Sequence, residues 1–342
     1  MLGQKLKRFN PGGPLQQMAV AHDVSPFIST YKWSDTGAGP KFSDPATLPA
    51  GSAFDAKFSP AASELAVAHS TTPFVTAYPW SAAGFGVKFS NPGTLPAGNA
   101  RGVDFSPAGT EIAVGHFTSP FVTAYPWSGS GFGAKFADPG TLPANIILDT
   151  SFSAAGTELA TAVLGSPFVT VYAWSASGFG SKFADPGTLP TGQGNGVAFS
   201  PSDGEIAVAH NTTPFVSAYA WSSGFGSKFS NPAALPAGSG NGVAFTPSGS
   251  HIAVAHNTTP FISVYPWSGA GFGTKISDPS TLPAGNGNGV AFSSPGTEIS
   301  VAHASTPFIT SYPWTGAFGT KFSDPATLPA GTAAGVAFTD VP

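Results

Sequence analysis

The chain has 342 residues with a formal net charge of −4, and only 9% of its residues are charged while 41% are hydrophobic. This balance excludes disorder, which combines low hydrophobicity with high charge, and a mildly acidic chain without a basic patch excludes a nucleic-acid partner. The chain has no cysteine, which excludes disulfides, thiol nucleophiles and thiolate metal sites.

One repeating unit of 46 or 47 residues organises nearly the whole sequence. A tyrosine stands two residues before every tryptophan, and these account for all the tyrosines and tryptophans of the chain. A fixed period of this length indicates a solenoid, an array or a propeller. The tryptophans that mark the period are Trp33, Trp80, Trp127, Trp174, Trp221, Trp267 and Trp314.

The repeat begins part-way through a unit and ends part-way through another. Residues 1–14 lie outside the pattern and are predicted to form an N-terminal arm, and residues 15–342 are predicted to form a single domain. Residues 15–45 supply a unit that lacks its first strand, and six complete units follow. The chain ends with 335–342, which match only the first strand of a unit.

Each unit contains four short strand patterns, A to D, here taken from the unit at 102–142. GVDFSP and EIAVGH predict strands A and B on either side of a Pro-Ala-Gly-Thr turn. PFVTAYPW is rich in β-forming residues and predicts strand C, and FGAKFADP predicts strand D. Four antiparallel strands in each of seven units predict an all-β, seven-bladed β-propeller.

The incomplete first and last units predict how the ring closes. The N-terminus supplies strands B to D of one blade, and 335–340 supply the missing strand A. We therefore expect 335–340 to pair with 16–22, which leaves no unpaired strand edge. The Phe-Asn-Pro at 9–11 is a weaker competitor for the same position.

The FSPxG turn, the Tyr-Pro-Trp that ends strand C and the order of the four strands resemble the WD-repeat family. Tyr125 stands where that family has a tryptophan, and the unit is most similar to repetitive propellers in phage virion proteins and uncharacterised bacterial proteins. The sequence departs from the family at 210–214, where the loop lacks the family's aspartate, and no Gly-His precedes strand A. The family's hydrogen-bond network and peptide-binding residues are therefore not transferred to this chain.

A histidine recurs at the end of strand B in every blade except one, where Val163 replaces it. One histidine per blade provides neither the converging ligands of a zinc site nor an oriented general base. We interpret it as a structural residue bonded to a neighbouring loop, and the alternative is a polar contact in a repeated shallow ligand site. The histidines are His22, His69, His116, His210, His256 and His303.

The seven tryptophans also have two interpretations. Aromatic residues on the face of a stacked blade are core residues with a polar atom that reaches a loop. The alternative is that Trp127 and its equivalents form apolar platforms for sugar rings. No cofactor or metal site is predicted.

One blade has a more apolar surface than the others. The loop at 144–149 reads ANIILD where the other blades have small or polar residues, and the same blade carries Val163. Its B–C loop begins with Leu-Gly-Ser instead of Asn-Thr-Thr. An exposed apolar patch typically marks an interface, although strand A could also extend inward here. The candidate partner contacts are Ile146, Ile147, Leu148, Val163 and Leu164.

These observations predict a non-enzymatic structural or binding propeller, specifically a capsid- or tail-associated phage virion protein that contacts other structural proteins or itself. The alternative is a lectin-like propeller that recognises cell-surface glycans. An enzyme is disfavoured because the blades look like near-copies, whereas propeller enzymes gather dissimilar residues over the central channel. No apolar run reaches the ~20 residues of a membrane span, and 1–14 lack the apolar core of a signal peptide. We therefore expect a soluble protein with no membrane partner, in a phage particle or otherwise in the cytoplasm.

Overall fold

The computed structural model describes residues 16–341, and within that range the chain forms 27 strands and no helix. The strands form seven sheets arranged as the blades of a propeller, so the predicted all-β, seven-bladed architecture is confirmed. The predicted arm at 1–14 lies outside the described residues.

The first four blades are each built in the order A, B, C, D from the channel outward. Blade 1 consists of β27 (Ala333–Asp340), β1 (Gln16–His22), β2 (Ile28–Ser34) and β3 (Gly37–Lys41). Blade 2 consists of β4 (Ala53–Phe58), β5 (Glu64–His69), β6 (Val75–Ser81) and β7 (Gly84–Phe85). Blade 3 consists of β8 (Ala100–Phe105), β9 (Glu111–His116), β10 (Val122–Ser128) and β11 (Gly131–Phe132). Blade 4 consists of β12 (Ile147–Phe152), β13 (Glu158–Val163), β14 (Val169–Ser175) and β15 (Gly178–Lys182).

The last three blades follow the same order. Blade 5 consists of β16 (Gly194–Phe199), β17 (Glu205–His210), β18 (Val216–Trp221) and β19 (Phe225–Lys228). Blade 6 consists of β20 (Gly240–Phe245), β21 (His251–His256), β22 (Ile262–Ser268) and β23 (Gly271–Phe272). Blade 7 consists of β24 (Gly287–Phe292), β25 (Glu298–His303) and β26 (Ile309–Pro313), and its strand D is reduced to a single bridge between Trp314 and Phe318.

The ring closes as the sequence predicts. Strand β27 pairs antiparallel with β1, with Asp340 opposite Gln16 and Gly335 opposite Ala21. The competing segment at 9–11 lies outside the described residues, and β27 occupies the position of strand A in blade 1. Both ends of the described chain therefore contribute to the same sheet.

The core lies between neighbouring blades rather than inside any one of them. Trp127 of blade 3 is surrounded by phenylalanine rings of blades 2 and 3, with centroids 4.9–5.3 Å away in edge-to-face arrangements. Tyr125 is fully buried, and its hydroxyl donates a hydrogen bond to the carbonyl of Thr94 at 2.8 Å. This carbonyl belongs to the D–A loop, the segment that joins strand D of one blade to strand A of the next. The repeated tyrosine and tryptophan thus join neighbouring blades through their apolar rings, and the tyrosine adds a bonded polar tip.

Strand D is shorter than the eight residues predicted. Its length depends on whether one position of strand C is a proline. In blades 2 and 3, Pro79 and Pro126 face strand D, and β7 and β11 have two residues each. In blades 4 and 5, Ala173 and Ala220 stand there, and β15 and β19 have five and four residues. Proline lacks an N–H group and cannot donate to the ladder, so the pairing of strands C and D stops early where it is present.

Among residues 16–341, no helix has the length and hydrophobicity that crossing a membrane would require.

Candidate active site in the central channel

Strand A of every blade lines the central channel, and its sequence divides the ring into two parts. In blades 5, 6 and 7 it reads Gly-Asn-Gly-Val-Ala-Phe without variation. In blades 2, 3 and 4 it reads AFDAKF, ARGVDF and ILDTSF. Charged side chains therefore replace glycine, alanine or asparagine on three consecutive blades, at Asp55, Lys57, Arg101, Asp104 and Asp149.

The channel consists of two cavities that meet near its middle. The turn-side cavity, of about 410 Å³, opens beside the A–B turns and is lined by Asp104 and Pro107. The loop-side cavity, of about 430 Å³, opens beside the D–A loops and is lined by Asp55 and Arg101. Lys57 and Asp149 line both cavities, together with three valines of blades 6, 7 and 1. Lys57 and Asp149 thus lie where the two halves of the channel join.

Hydrogen bonds between blades fix the position of each aspartate. Asp149 accepts one bond from the N–H of Thr150 in its own strand at 2.8 Å and one from the N–H of Val197 in the next blade at 3.0 Å. Asp55 bonds in the same way to Ala56 and to Val103 of the next blade, at 2.9 and 3.1 Å.

Asp104 repeats this arrangement from a different register of strand A, accepting from Phe105 at 3.1 Å and from Phe152 of blade 4 at 2.8 Å. On the other side of the ring, the amide of Asn241 donates to the carbonyl of Gly287 in the next blade at 2.8 Å. Aspartates and asparagines therefore both link adjacent strands A. Only the aspartates add ionisable oxygens to the channel.

Burial changes the protonation behaviour of these groups. Burial and, second, the negative charge of Asp55 together raise the pKa of Asp149 to about 7. Burial also raises the pKa of Asp104 to about 6, and it raises the pKa of Asp55 even though the charge of Lys57 opposes the shift. The pKa of Lys57 is raised, mainly because of the nearby charge of Asp55. The channel therefore holds a stable cation beside carboxyl groups that exchange protons close to neutral pH.

Lys57 acts on these carboxylates without contacting them. Within residues 16–341 the direct ion pairs join a lysine in or after strand D to an aspartate three residues later, and none of them includes Lys57. Its ammonium group therefore keeps its donors available to a molecule in the channel.

The recurring histidines are internal groups of the blades. Each is fully buried, and its Nε2 bonds to a serine or threonine hydroxyl of strand C at 2.8–3.1 Å. The bond to a neighbouring loop stays a prediction. Burial lowers the pKa of each of the six to about 4, so they are neutral at pH 7. The tryptophans are 2–6% exposed. A ligand-binding role for either set stays a prediction.

The apolar residues of blade 4 are divided between core and surface. Ile147 and Val163 are fully buried and lie opposite each other in the ladder of β12 and β13. Ile146 and Leu164 are half-buried, as is Leu148, which lines the loop-side cavity. The structure contains one chain, and the proposed partner contact stays a prediction.

Sequence reasoning missed four of the five charged channel residues and interpreted the fifth, Asp104, only as the polar position of an alternating strand. A comparison of strand A between blades, position by position, would have found them. Lys57 stands where four other blades have alanine, and Asp149 stands where five have glycine and one has aspartate.

No family model and no curated protein matches the chain. Solved structures do match it over nearly its whole length. A protein from Bacteroides fragilis, provisionally assigned as a 6-phosphogluconolactonase, is 14% identical with a TM-score of 0.75, and the match covers 97% of this chain and 100% of that one. The periplasmic gluconolactonase of Pseudomonas aeruginosa is 16% identical with a TM-score of 0.73, covering 96% and 100% of the two chains. A provisionally assigned 6-phosphogluconolactonase of Bacteroides uniformis is 13% identical, also with a TM-score of 0.73 and with 96% and 100% coverage.

These comparisons correct two predictions. The neighbours are lactonase-like propellers and not WD-repeat or phage proteins, so the predicted resemblance holds only for the seven-bladed fold. The predicted non-enzymatic role, as a virion protein or as a glycan-binding propeller, is contradicted because proteins of this fold and length are named as enzymes. The prediction that the blades are near-copies was also wrong. Blades 2 to 4 differ from the others at the channel, where dissimilar charged residues converge.

Proposed function

We propose that the chain is a lactonase that hydrolyses the cyclic ester of a sugar acid, with the reaction in the central channel between Lys57 and Asp149. One observation carries this proposal: a lysine and an aspartate with a pKa of about 7 share the junction of the two cavities. The names of the structural neighbours support the reaction class.

Lactone hydrolysis requires an oxyanion stabiliser, a general base and a general acid, and two groups of the channel provide these three functions. Water adds to the carbonyl carbon, and negative charge develops on the carbonyl oxygen, where the ammonium group of Lys57 stabilises it. The carboxylate of Asp149 accepts the proton that the water loses. The bond from the acyl carbon to the ring oxygen then breaks, and Asp149 returns the proton to that oxygen. The product is the open-chain hydroxy acid.

The pKa of Asp149 suits this double role. A group that first accepts and then donates a proton is most effective when its pKa lies near the working pH. A carboxyl with an ordinary pKa of 3.8 would be a weak base at neutral pH, and burial in the channel raises the pKa of Asp149 to about 7. Its bonds to Thr150 and Val197 hold the carboxyl in place during both steps.

The size of the channel agrees with a small ring as substrate. Each cavity has a volume of 410–430 Å³, within the range of about 300–1,000 Å³ that is usual for small-molecule sites. The half of the ring formed by blades 5 to 7 presents asparagine side chains and backbone groups to the loop-side cavity, such as Asn241 and Asn288. These groups can bind the hydroxyls of a sugar ring.

Hydrolysis of glucono-1,5-lactone by the purified protein, followed with a pH-stat against the spontaneous reaction, tests the proposal. We expect Lys57→Ala to lower kcat by about 10²-fold or more, the usual cost of removing one oxyanion donor. Alanine occupies this position in four other blades, so the variant is expected to fold. Asp149→Asn removes the base while it keeps the shape of the side chain, and it should lower kcat as well.

Lys135→Gln is the matched control, because it removes a lysine of blade 3 that is paired with Asp138 on the outer edge. It should leave the rate unchanged. The proposal is wrong if the protein does not accelerate the opening of any sugar lactone, or if Lys57→Ala retains the full rate.

A further inference from the structure

Three residues that depart from the repeat meet at the loop-side opening of the channel. The guanidinium carbon of Arg101 lies 3.6 Å from the ring centre of Phe54 and 4.6 Å from that of Phe117. Phe54 belongs to blade 2, whereas Arg101 and Phe117 belong to blade 3. We call these three residues the arginine clamp.

Each member of the clamp replaces a small or polar residue of the repeat. Blades 5, 6 and 7 have asparagine at the position of both Phe54 and Arg101, and blades 5 and 6 have asparagine at that of Phe117. A single residue that departs from the repeat is expected from random sequence change. Three exchanges that bring two aromatic rings against one cation form a specific arrangement, and cation–π contacts of this kind stabilise a partly desolvated guanidinium.

The clamp holds a cation without a counter-ion. Within residues 16–341 no carboxylate forms a salt bridge with Arg101, and its buried Nε has no hydrogen-bond partner in the protein. A charge that is removed from water without a partner is costly. The rings flank the guanidinium, and its N–H groups are donors in a rigid fork that matches carboxylate and phosphate.

Arg101 and the two reacting groups occupy different positions along strand A of their blades. Arg101 is the second residue of its strand A, Asp149 the third and Lys57 the fifth. A strand rises about 3.3 Å per residue, so the backbone of Arg101 lies about 3 Å along strand A from the level of Asp149 and about 10 Å from that of Lys57. Arg101 and Lys57 are the cations among the described residues that line the two cavities.

We infer that the arginine clamp is an anion-binding subsite, and that the substrate is a lactone which carries a carboxylate or phosphate several ångströms from its reacting carbonyl. This inference rests on the proposed lactonase function for the identity of the substrate. The anion pairs with Arg101 at the mouth of the channel, and the lactone ring then extends inward to Lys57 and Asp149. The clamp selects charged lactones over neutral ones because a neutral ring leaves Arg101 without a partner.

Anion binding can be measured without catalysis. We expect isothermal titration calorimetry with inorganic phosphate and with 6-phosphogluconate to show binding to the wild-type protein. Arg101→Asn should weaken it by about 10–100-fold, as expected for a lost charge-assisted hydrogen bond. Asparagine stands at this position in three other blades, so the variant keeps a residue that the fold accepts. Lys135→Gln changes the net charge by the same amount outside the channel and should bind normally.

Three lactones then separate the sources of the anion. Glucono-1,5-lactone is neutral, 6-phosphoglucono-1,5-lactone carries a phosphate, and glucaro-1,4-lactone carries a carboxylate. We expect Arg101→Asn to raise KM for one or both charged lactones and to leave kcat/KM for the neutral one within about 2-fold. The charged lactone with the larger effect identifies the anion.

The outcomes distinguish this inference from the proposed function. If Arg101→Asn binds phosphate and 6-phosphogluconate as the wild type does, or affects the neutral and charged lactones equally, the anion subsite is refuted even though hydrolysis is observed. If anion binding depends on Arg101 but no lactone is hydrolysed, the subsite stands and the lactonase proposal fails.

Discussion

Six buried histidines should make the folded state of this propeller unusually sensitive to acid. Blade 4, which has a valine in place of the histidine, suggests a substitution that tests this. His210 is fully buried, and its Nε2 bonds to the hydroxyl of Ser217 at 3.0 Å. In blade 4 the equivalent residue is Val163, which is also fully buried, so the fold accepts valine at this position. The substitution His210→Val therefore removes one titrating group and keeps a side chain that the repeat already uses.

The effect follows from the pKa of the histidine in the folded and unfolded chain. Burial lowers the pKa of His210 from 6.5 to about 4. A lowered pKa contributes stability that is complete above pH 6.5 and is lost as the pH falls towards 4. At pH 5 the unfolded chain is protonated and the folded chain is not, which costs about 2 kcal/mol for each histidine.

Six such histidines give a loss on the order of 12 kcal/mol between pH 7.5 and pH 5. Asp104 and Asp149 act in the opposite direction, because their raised pKa values favour proton uptake by the folded state as the pH falls. They offset about 4 kcal/mol. Burial also raises the pKa of Asp55, which adds to this offset, so the net loss is at most about 8 kcal/mol. A loss of this size is comparable to the whole free energy of unfolding of a typical domain, about 5–15 kcal/mol.

Urea unfolding at pH 7.5 and pH 5.0, followed by tryptophan fluorescence, measures this loss in each variant. We expect the loss in His210→Val to be smaller than in the wild type by about 2 kcal/mol. The substitution also removes the hydrogen-bond partner of Ser217, but this cost is present at both pH values and cancels in the difference. Ser217→Ala is the control, since it keeps the histidine and should retain most of the acid sensitivity. An identical acid-induced loss in the wild type and in His210→Val would refute the reasoning.

Two further predictions concern the channel and the closure of the ring. If the Asp149 carboxylate is the base, kcat/KM should rise with pH through about 7, the pKa of that group. This rise should be absent in Asp149→Asn. If the wild type and Asp149→Asn have the same pH profile, the titrating group is another residue. Deletion of 333–342 removes the strand that pairs with β1 and should abolish cooperative thermal unfolding, measured by calorimetry. Deletion of 341–342 is the control and should keep the cooperative transition. An unchanged transition in the longer deletion would contradict closure by β27.

The fold could be predicted because its information is repeated seven times. The Tyr-x-Trp end of strand C and the glycine and proline turns recur in phase, so an irregular blade does not obscure the period. The closure by 335–340 followed from counting strands at the two ends of the chain. The length of strand D could not be read in this way. It depends on whether residues such as Pro126 or Ala173 can donate an N–H across the ladder, which is a property of the pairing and not of strand D itself.

The candidate site was missed because its residues are not repeated in every blade. A search for recurring residues leads to the histidines and tryptophans, which the structure buries, whereas each channel charge occurs on only one or two blades. Asp104 alternates with Val103 and Phe105, a pattern that normally indicates a solvent-facing polar position. In a propeller, strand A lines the channel, so this polar position faces Lys57 and two other carboxyl groups.

The close packing of strands A determines which channel variants give a clear answer. A Cβ atom added at Gly242 would lie 3.2 Å from the Cα atom of Gly289 in the next blade, so the repeat uses glycine where these strands approach each other. Asp55 and Asp149 occupy the same register, and each bridges to a backbone N–H of the following blade. Their removal would leave that N–H group without its partner, and a loss of activity in such variants would combine chemistry with a local change of structure. Lys57 forms no such bridge, and alanine replaces it in four blades. An activity that disappears in Lys57→Ala while the thermal stability stays unchanged therefore separates the chemistry of the channel from the architecture of the ring.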